Sequence, residues 1–438
     1  MTGERAAYEI LLKVTREDAY LNLALKDALN SVASEDRAYV TALVYTASEH
    51  LAYCDHLIES YAKGRIQSSV RCVLRLALTE LFFMDKPDYA VCSRALKLTE
   101  EIGKGKLKGF VNGVLRTISR DRAAGSLPEL PLDFTERMRV MSGYPEFLIR
   151  EYVRKYGEEK TEKLLNPQNS GIAVRPVFPA DKDEIREHFH SNNSCVSDGR
   201  ISRGALAVDR LNGPVTEDEL FKKGRMTVQS EGAMLSCEVL EPGEGMRVLD
   251  ACAAPGGKSA YICDLMKRSG YVAAWDIHPH RVKLIESTLS RLGIEMVDSS
   301  VRDASVYAPA LESSFDRILL DVPCSGLGGG SKPDARLRRT EESIREISLL
   351  QSRILETCSA YLKPDGLLVY STCTVSESEN ENVVQGFLGG HPDFELKPFH
   401  ELVPEPLKER ASQGMLQLLP CDDGTEGFFL ARLGRRTV

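Results

Sequence analysis

Residues 248–259 read VLDACAAPGGKS, and the order of events in that stretch decides the fold. An apolar run ends in Asp250, a Pro-Gly-Gly turn follows, and Lys258 and Ser259 enter a helix. A strand that gives way to a glycine-rich turn and a helix is a ligand cradle in open α/β sheets, where ligands bind at the carboxyl ends of strands. Pro255 fixes φ ahead of Gly256 and Gly257, which makes the turn tight and stiff.

Toward the C-terminus, strands and helices alternate. Strands are expected near residues 247–251, 271–276, 296–301, 315–321 and 366–372. LLQSRILETCSAYL (349–362) is the clearest amphipathic helix between them. This alternation predicts a mostly parallel sheet with helices on both faces, an α/β domain over residues 226–438. GFFLARL (427–433) reads as a terminal strand, expected at an antiparallel edge.

Toward the N-terminus the pattern changes. Residues 1–125 read as all helix: Val70, Val73, Leu74, Ala77, Leu78, Leu81 and Phe82 recur with helical spacing, and Val40, Leu43, Val44 and Ala47 repeat it. Lys86-Pro87-Asp88 punctuates two of these helices. AGSLPELP (124–131) marks a linker. Residues 126–225 read as a small mixed α/β segment, with breaks at Tyr144-Pro145 and Asn166-Pro167 and strand-like runs IAVRPVF (172–178) and ALAVDRL (205–211).

A chain of 438 residues exceeds one ordinary core, consistent with two or three domains. No apolar stretch approaches the ~20 residues needed to span a bilayer. MTGERAAYEILLKV (1–14) mixes charges into its apolar positions and is no signal peptide. Eleven cysteines without a secretory signal predict free thiols in a reducing, cytoplasmic setting. None follows a C-x-x-C spacing and no histidine cluster accompanies them, so no metal site is expected. The protein is expected to act as a monomer away from membranes.

The formal net charge of −8 argues against general coating of nucleic acid, but its distribution does not. Lys104, Lys106, Lys108, Arg116, Arg120 and Arg122 face only Asp121 over residues 102–122. Lys63, Arg65, Arg71 and Arg75 form a second cluster, and Lys332, Arg336, Arg338 and Arg339 a third. Such clusters are either solvated helix faces or selective anion-facing surfaces.

Two cysteines stand apart. Cys324 lies in DVPCSGLG (321–328) and Cys373 in YSTCT (370–374), each just past an apolar run, RILL (317–320) or LLVY (367–370). Free cysteine is usually a small buried hydrophobe, the reading adopted for Cys54, Cys72, Cys92, Cys263 and Cys358. Flanking Pro, Ser and Thr instead put Cys324 and Cys373 in turns on the ligand-binding rim.

Three ligand classes use a strand, glycine turn and helix. A phosphate loop needs a first glycine where Cys252 stands, although Gly257, Lys258 and Ser259 fit. The dinucleotide fingerprint is absent. S-adenosylmethionine is the third class: its carboxylate suits the helix N-terminus after Gly257. Asp276, 26 residues past Asp250, suits the ribose hydroxyls, since such an acid is expected ~20 residues on. Asp303 suits the adenine amino group. Each acid read alone is a common helix cap; three at successive strand ends point to the cofactor.

A thiolate adding to pyrimidine C6 makes C5 nucleophilic toward a sulfonium methyl group, and the C5 proton and the thiol must then leave. A second thiol nearby suits the release step, and Asp321 suits the N3/N4 edge of cytosine, donating to N3 when protonated.

On these residues the chain resembles the bacterial RNA cytosine-5 methyltransferases of the RsmB (Sun, Fmu) type, over nearly its whole length. DACAAPGGKS, Asp276, Asp303, DVPCSG and STCT are similar to that family's successive motifs, and VQSEGAM (228–234) and GFFLARL to its flanking ones. The resemblance implies a class I Rossmann-like methyltransferase domain after an all-α NusB-like RNA-binding domain and a small α/β connection. It implies Cys373 as nucleophile and Cys324 as the residue needed for release. Cys252, Ala253, Ala254, Pro255, Gly256, Gly257, Lys258, Asp276, Asp303 and Asp321 would line the S-adenosylmethionine pocket. It also favours 16S ribosomal RNA, free or in a partly assembled small subunit, over transfer RNA. Val322 stands where the family usually has alanine, Ser230 where an acid follows Val-Gln, and Gly330-Ser331-Lys332 where consecutive arginines are common.

The alternatives are a nucleotide hydrolase, for which Cys252 is the wrong residue, a non-catalytic RNA-binding assembly factor, and the same chemistry on transfer RNA or another ribosomal RNA site. ATP binding without S-adenosylmethionine binding marks the first; S-adenosylmethionine binding without transfer marks the second.

Overall fold

The apolar face formed by Val70, Val73, Leu74, Ala77, Leu78 and Leu81 becomes one side of helix Ser68–Phe83, and all six side chains are buried. Helices Gly3–Arg16, Leu21–Leu29, Ser34–Glu49, Leu51–Tyr61, Asp88–Glu101 and Lys108–Ala123 share its core. Each fully buried Val, Leu or Ile there contributes ~1.5–3 kcal/mol. The computed structural model describes residues 2–17, 19–166, 171–209, 213–328 and 333–436. Residues 126–131 carry neither helix nor strand. Helices Phe134–Ser142, Glu146–Tyr156 and Glu158–Leu165 follow, interrupted at Tyr144-Pro145.

The chain divides into two compact units, Met1–Asn166 with Ser331–Thr340 and Pro167–Gly330 with Glu341–Val438. Helix Pro333–Arg338 therefore belongs to the helical unit, although it follows the Cys324 turn in sequence. Pro167, Arg210, Leu211, Gly330, Ser331 and Lys332 lie outside the described residues.

The second unit opens with a four-stranded antiparallel sheet. Its strands are β1 (Ile172–Pro176), β2 (Val196–Asp198), β3 (Leu206–Val208) and β4 (Met226–Val228), in the order β2-β3-β1-β4. Ile185 and Phe189 of helix Lys182–Ser191 cover Val174, Leu206, Val208 and Met226.

The large sheet comprises β5 (Arg247–Asp250), β6 (Tyr271–Asp276), β7 (Val297–Val301), β8 (Phe315–Asp321), β9 (Leu362–Thr372), β10 (Phe394–Leu396), β11 (Met415–Leu418) and β12 (Phe428–Arg435). Its order is β10-β12-β9-β8-β5-β6-β7, with β11 paired to β12, and β5 to β9 run parallel. Residues alternate between two cores: Val248, Val272, Ala274 and Leu319 point to one face, and Leu249, Ala273, Trp275, Ile318 and Leu320 to the other. Burial on both faces explains why these strands read as unbroken apolar runs. From β5 the chain winds one way through β6 and β7, then crosses back to β8 and β9. The switch point lies between β5 and β8, where open sheets hold ligands.

One expectation changes. β12 is antiparallel, as expected, but it is not an edge: it pairs with β9 on one side and with β10 and β11 on the other. Phe428 and Leu430 enter one core, while Phe429, Ala431 and Leu433 enter the opposite one. A strand with buried apolar side chains on both faces belongs inside a sheet.

Candidate active site

The Pro-Gly-Gly turn is tied to the sheet by short backbone bonds. Ala253 N–H donates to the Trp275 carbonyl at 2.7 Å, and Gly256 N–H to the Ala253 carbonyl at 2.7 Å. The Ala254–Pro255 peptide is cis. Gly256 has φ +100°, and a Cβ there would approach Ile285 Cα to 3.1 Å, so both conformation and space call for glycine. Helix Gly257–Leu265 starts directly after it and aims the positive end of its peptide dipoles at the rim.

Lys258 Nζ donates to Asp321 Oδ2 at 2.7 Å, and Ser371 Oγ donates to Asp321 Oδ1 at 3.0 Å. One carboxylate thus links the turn after β5 with the ends of β8 and β9. Burial works against the Lys258 charge, but Asp321 outweighs it and holds the ammonium's pKa above its ordinary value. Asp250, fully buried, accepts from Ser259 Oγ at 2.7 Å. Burial pushes its pKa up to about 7, against the opposing pull of Ser259 and Lys258.

Asp276 ends β6 as expected, whereas Asp303 lies two residues past the end of β7. Asp276 is buried, accepts from His278 N–H at 3.1 Å and pairs with Arg281 Nη1 at 3.2 Å. Asp303 Oδ1 accepts from Ser305 N–H (2.9 Å) and Oγ (2.7 Å), so one oxygen caps the following turn. Cys252 sends its side chain into the apolar cluster with Trp275 and Tyr361, and burial raises its pKa.

The two rim cysteines meet. Cys324 Sγ lies 3.2 Å from Cys373 Sγ, the distance of a thiol hydrogen bond. The register explains why: Asp321 and Ser371 are paired residues of β8 and β9, three and two positions before their respective cysteines. Gly328 N–H donates to the Cys373 carbonyl at 3.1 Å, closing the first turn over the second. The Cys324 pKa stands well above the ordinary thiol value, first through its hydrogen bond to Cys373, then through burial, then through the charges of Glu379 and Asp321. The two sulfurs are close enough to share one proton. Cys54, Cys72, Cys263 and Cys358 are buried, and Cys92 is half-buried.

Arg175 of β1 escaped the sequence reading. Fully buried, it ion-pairs with Asp264 Oδ2 at 2.7 Å, donates to Gln229 Oε1 at 2.8 Å and to the Gly257 carbonyl at 3.4 Å, and lies over the Tyr261 ring. It braces the helix that follows the Pro-Gly-Gly turn. A charged residue amid IAVRPVF was the available signal, but no period in the sequence announces its partner.

The basic clusters are partly spent on ion pairs. Arg71 and Arg75 fold onto Asp55, Lys108 onto Glu100, Arg120 onto Asp121 and Arg122 onto Asp88. Arg336 lies over Tyr144 and Arg338 over Tyr20, both within the helical unit. Among the described residues no group of three or more His, Cys, Asp or Glu is placed to hold a metal, and no helix is long and apolar enough to cross a membrane.

The chain is similar to known proteins along nearly its whole length. A family model described as 16S rRNA methyltransferase RsmB/F matches residues 237–434, and a NusB family model matches residues 3–120. A relative described as a probable ribosomal RNA small subunit methyltransferase B of Bacillus subtilis (strain 168) is 33% identical, over 98% of both chains. The crystal structure of PH0851 superposes with a TM-score of 0.79 at 25% identity, over 99% of this chain and 98% of that one. A methyltransferase homolog protein from Pyrococcus horikoshii gives 0.60 at 28% identity, over 70% of this chain and 98% of that one. With a NusB domain ahead of an RsmB/F methyltransferase domain, the chain belongs to the ribosomal RNA small subunit methyltransferase B family.

Proposed function

We propose that this protein methylates C5 of a cytosine in 16S ribosomal RNA, using S-adenosylmethionine and a covalent bond from Cys373 to C6 of the base. The observation that carries this reading is the 3.2 Å thiol pair beside the Lys258–Asp321–Ser371 link. We read residues 1–125 as the RNA-binding part, 126–225 as a connection and 226–438 as the catalytic part, in a cytoplasmic monomer.

The chain's residues fit the methyl donor. The glycine-only turn and helix N-terminus suit its carboxylate, buried Asp276 its ribose hydroxyls and Asp303 its adenine amino group; residues 252–258 form the wall. When bound, S-adenosylmethionine supplies an electrophilic methyl group. Everything else falls to the protein. Asp321, held by Lys258 and Ser371, faces the N3/N4 edge of the flipped base, where its carboxylate accepts from the N4 amino group and so selects cytosine. Cys373 gives its electron pair to C6 and so makes C5 nucleophilic.

Release follows from the same pair. The hydrogen bond to Cys373 is the first cause that raises the Cys324 pKa. Once Cys373 is consumed in a thioether that hydrogen bond is lost, and Cys324 gives its own proton to solvent and becomes a thiolate. Cys324 then accepts the C5 proton, and the C6–S bond breaks with its electrons returning to Cys373. The testing experiment supplies labelled S-adenosylmethionine with unmodified 16S RNA and transfer RNA, then maps the product by bisulfite. One 5-methylcytosine in 16S RNA supports the reading; label elsewhere, or no transfer despite donor binding, refutes it.

A further inference from the structure

Glu379 and Asn380 are consecutive, fully buried polar residues just before helix Glu381–Gly390, and the chemistry above uses neither. Glu379 faces the Cys324 turn. Its Oε2 accepts from Ser325 N–H at 2.7 Å and from Gln351 Nε2 at 3.1 Å, and the same Gln351 amide donates to the Pro323 carbonyl at 2.8 Å. The residues on either side of Cys324 are thus held by one carboxylate–amide pair. Asn380 treats the other turn in the same way. Its Oδ1 accepts from the Thr372 hydroxyl at 2.5 Å, and its Nδ2 donates to the Thr374 carbonyl at 3.1 Å. These are the two neighbours of Cys373.

A buried carboxylate persists only where hydrogen bonds offset its lost hydration, and here the partners it takes belong to a cysteine turn. Gln417 completes the lattice: its Oε1 accepts from Asn380 at 2.8 Å and its Nε2 reaches the Thr374 carbonyl at 3.3 Å. The hydroxyls of Ser325 and Thr374 stand 2.9 Å apart and bridge the two turns. One dipeptide therefore holds residues on both sides of the two cysteines, together with Gln351.

We infer that Glu379 and Asn380 are paired positioning residues: Glu379, with Gln351, sets Cys324 for release, and Asn380 sets Cys373 for attack. The inference rests on the roles proposed above for the two thiols. Because each side chain holds a different turn, disturbing one should slow one chemical step more than the other. A purely structural role would slow both alike.

The experiment is single-turnover reaction of the full chain with 16S RNA and S-adenosylmethionine, following denaturant-stable protein–RNA adduct and methylated product separately. Glu379→Ala should slow release by about tenfold and accumulate adduct while adduct formation changes by less than about threefold. Asn380→Ala should slow adduct formation by about tenfold without accumulation. Glu379→Gln keeps the volume and one acceptor oxygen; it should show the same bias in weaker form and keeps the test readable if alanine costs too much stability. Thermal unfolding and S-adenosylmethionine binding accompany each variant. Equal slowing of both steps in folded variants, a reversed bias or no change overturns the inference. Cys324→Ala separates the two claims: adduct there, with no bias in the Glu379 and Asn380 variants, sinks this inference alone, whereas no adduct sinks the two-thiol reading as well.

Discussion

Asp250 ends β5 with no exposed surface, and burial lifts its pKa to about 7. Unfolded, the same carboxyl titrates near the ordinary ~4. Between these values the folded protein binds the proton more tightly than the unfolded chain, so this group's contribution to stability falls as pH rises from about 4 to 7. Asp250→Asn removes the titration. Across that window the variant should gain on the wild type by an amount on the order of 3–4 kcal/mol, read from urea unfolding at several pH values. Parallel stability curves would count against it. This residue, like Cys324, Cys373 and Asp321, was legible in the sequence because it ends an apolar run before a turn. Arg175 was not: its partner Asp264 stands 89 residues away, and only folding brings them together.

At the scale of elements, the alternation after residue 226 gave the parallel strands and their rim. The place of β12 was not legible, because a largely apolar run such as GFFLARL looks the same at an edge as inside a sheet. What betrays the interior position is burial of consecutive residues on both faces. Its start also shapes the site: Gly427 N–H donates to the Gly328 carbonyl at 2.5 Å, and a Cβ on Gly328 would collide with the Gly427 carbonyl and come within 2.6 Å of the Cys373 carbonyl. Gly328→Ala must push the Cys373 turn aside, at a cost of roughly 1–3 kcal/mol in overpacking. Methyl transfer should fall at least about tenfold while S-adenosylmethionine affinity, set at the other turn, stays within about twofold. Equal loss of donor binding and transfer would place the damage elsewhere.

For the molecule as a whole, charge clusters were visible in the sequence, but which charges stay available was not. Ion pairing is settled by helix packing: Arg71 and Arg75 looked unopposed until the neighbouring helix Leu51–Tyr61 supplied Asp55 and Glu59. Within residues 102–122 the cations with no ion pair among the described residues are Lys104, Lys106 and Arg116. If that face meets RNA phosphates, replacing all three by alanine should weaken RNA binding and flatten the logarithmic salt dependence by ~0.7 per lost phosphate contact. Filter binding at several salt concentrations reads this directly; an unchanged slope would move the RNA interface away from residues 102–122. The division of labour in the chemistry is tested most directly by denaturing gels of the wild type, Cys373→Ala and Cys324→Ala after incubation with 16S RNA and S-adenosylmethionine. The account predicts a persistent protein–RNA band for Cys324→Ala alone and no methyl transfer by Cys373→Ala. Turnover by Cys373→Ala, or the same outcome for both variants and the wild type, would contradict it.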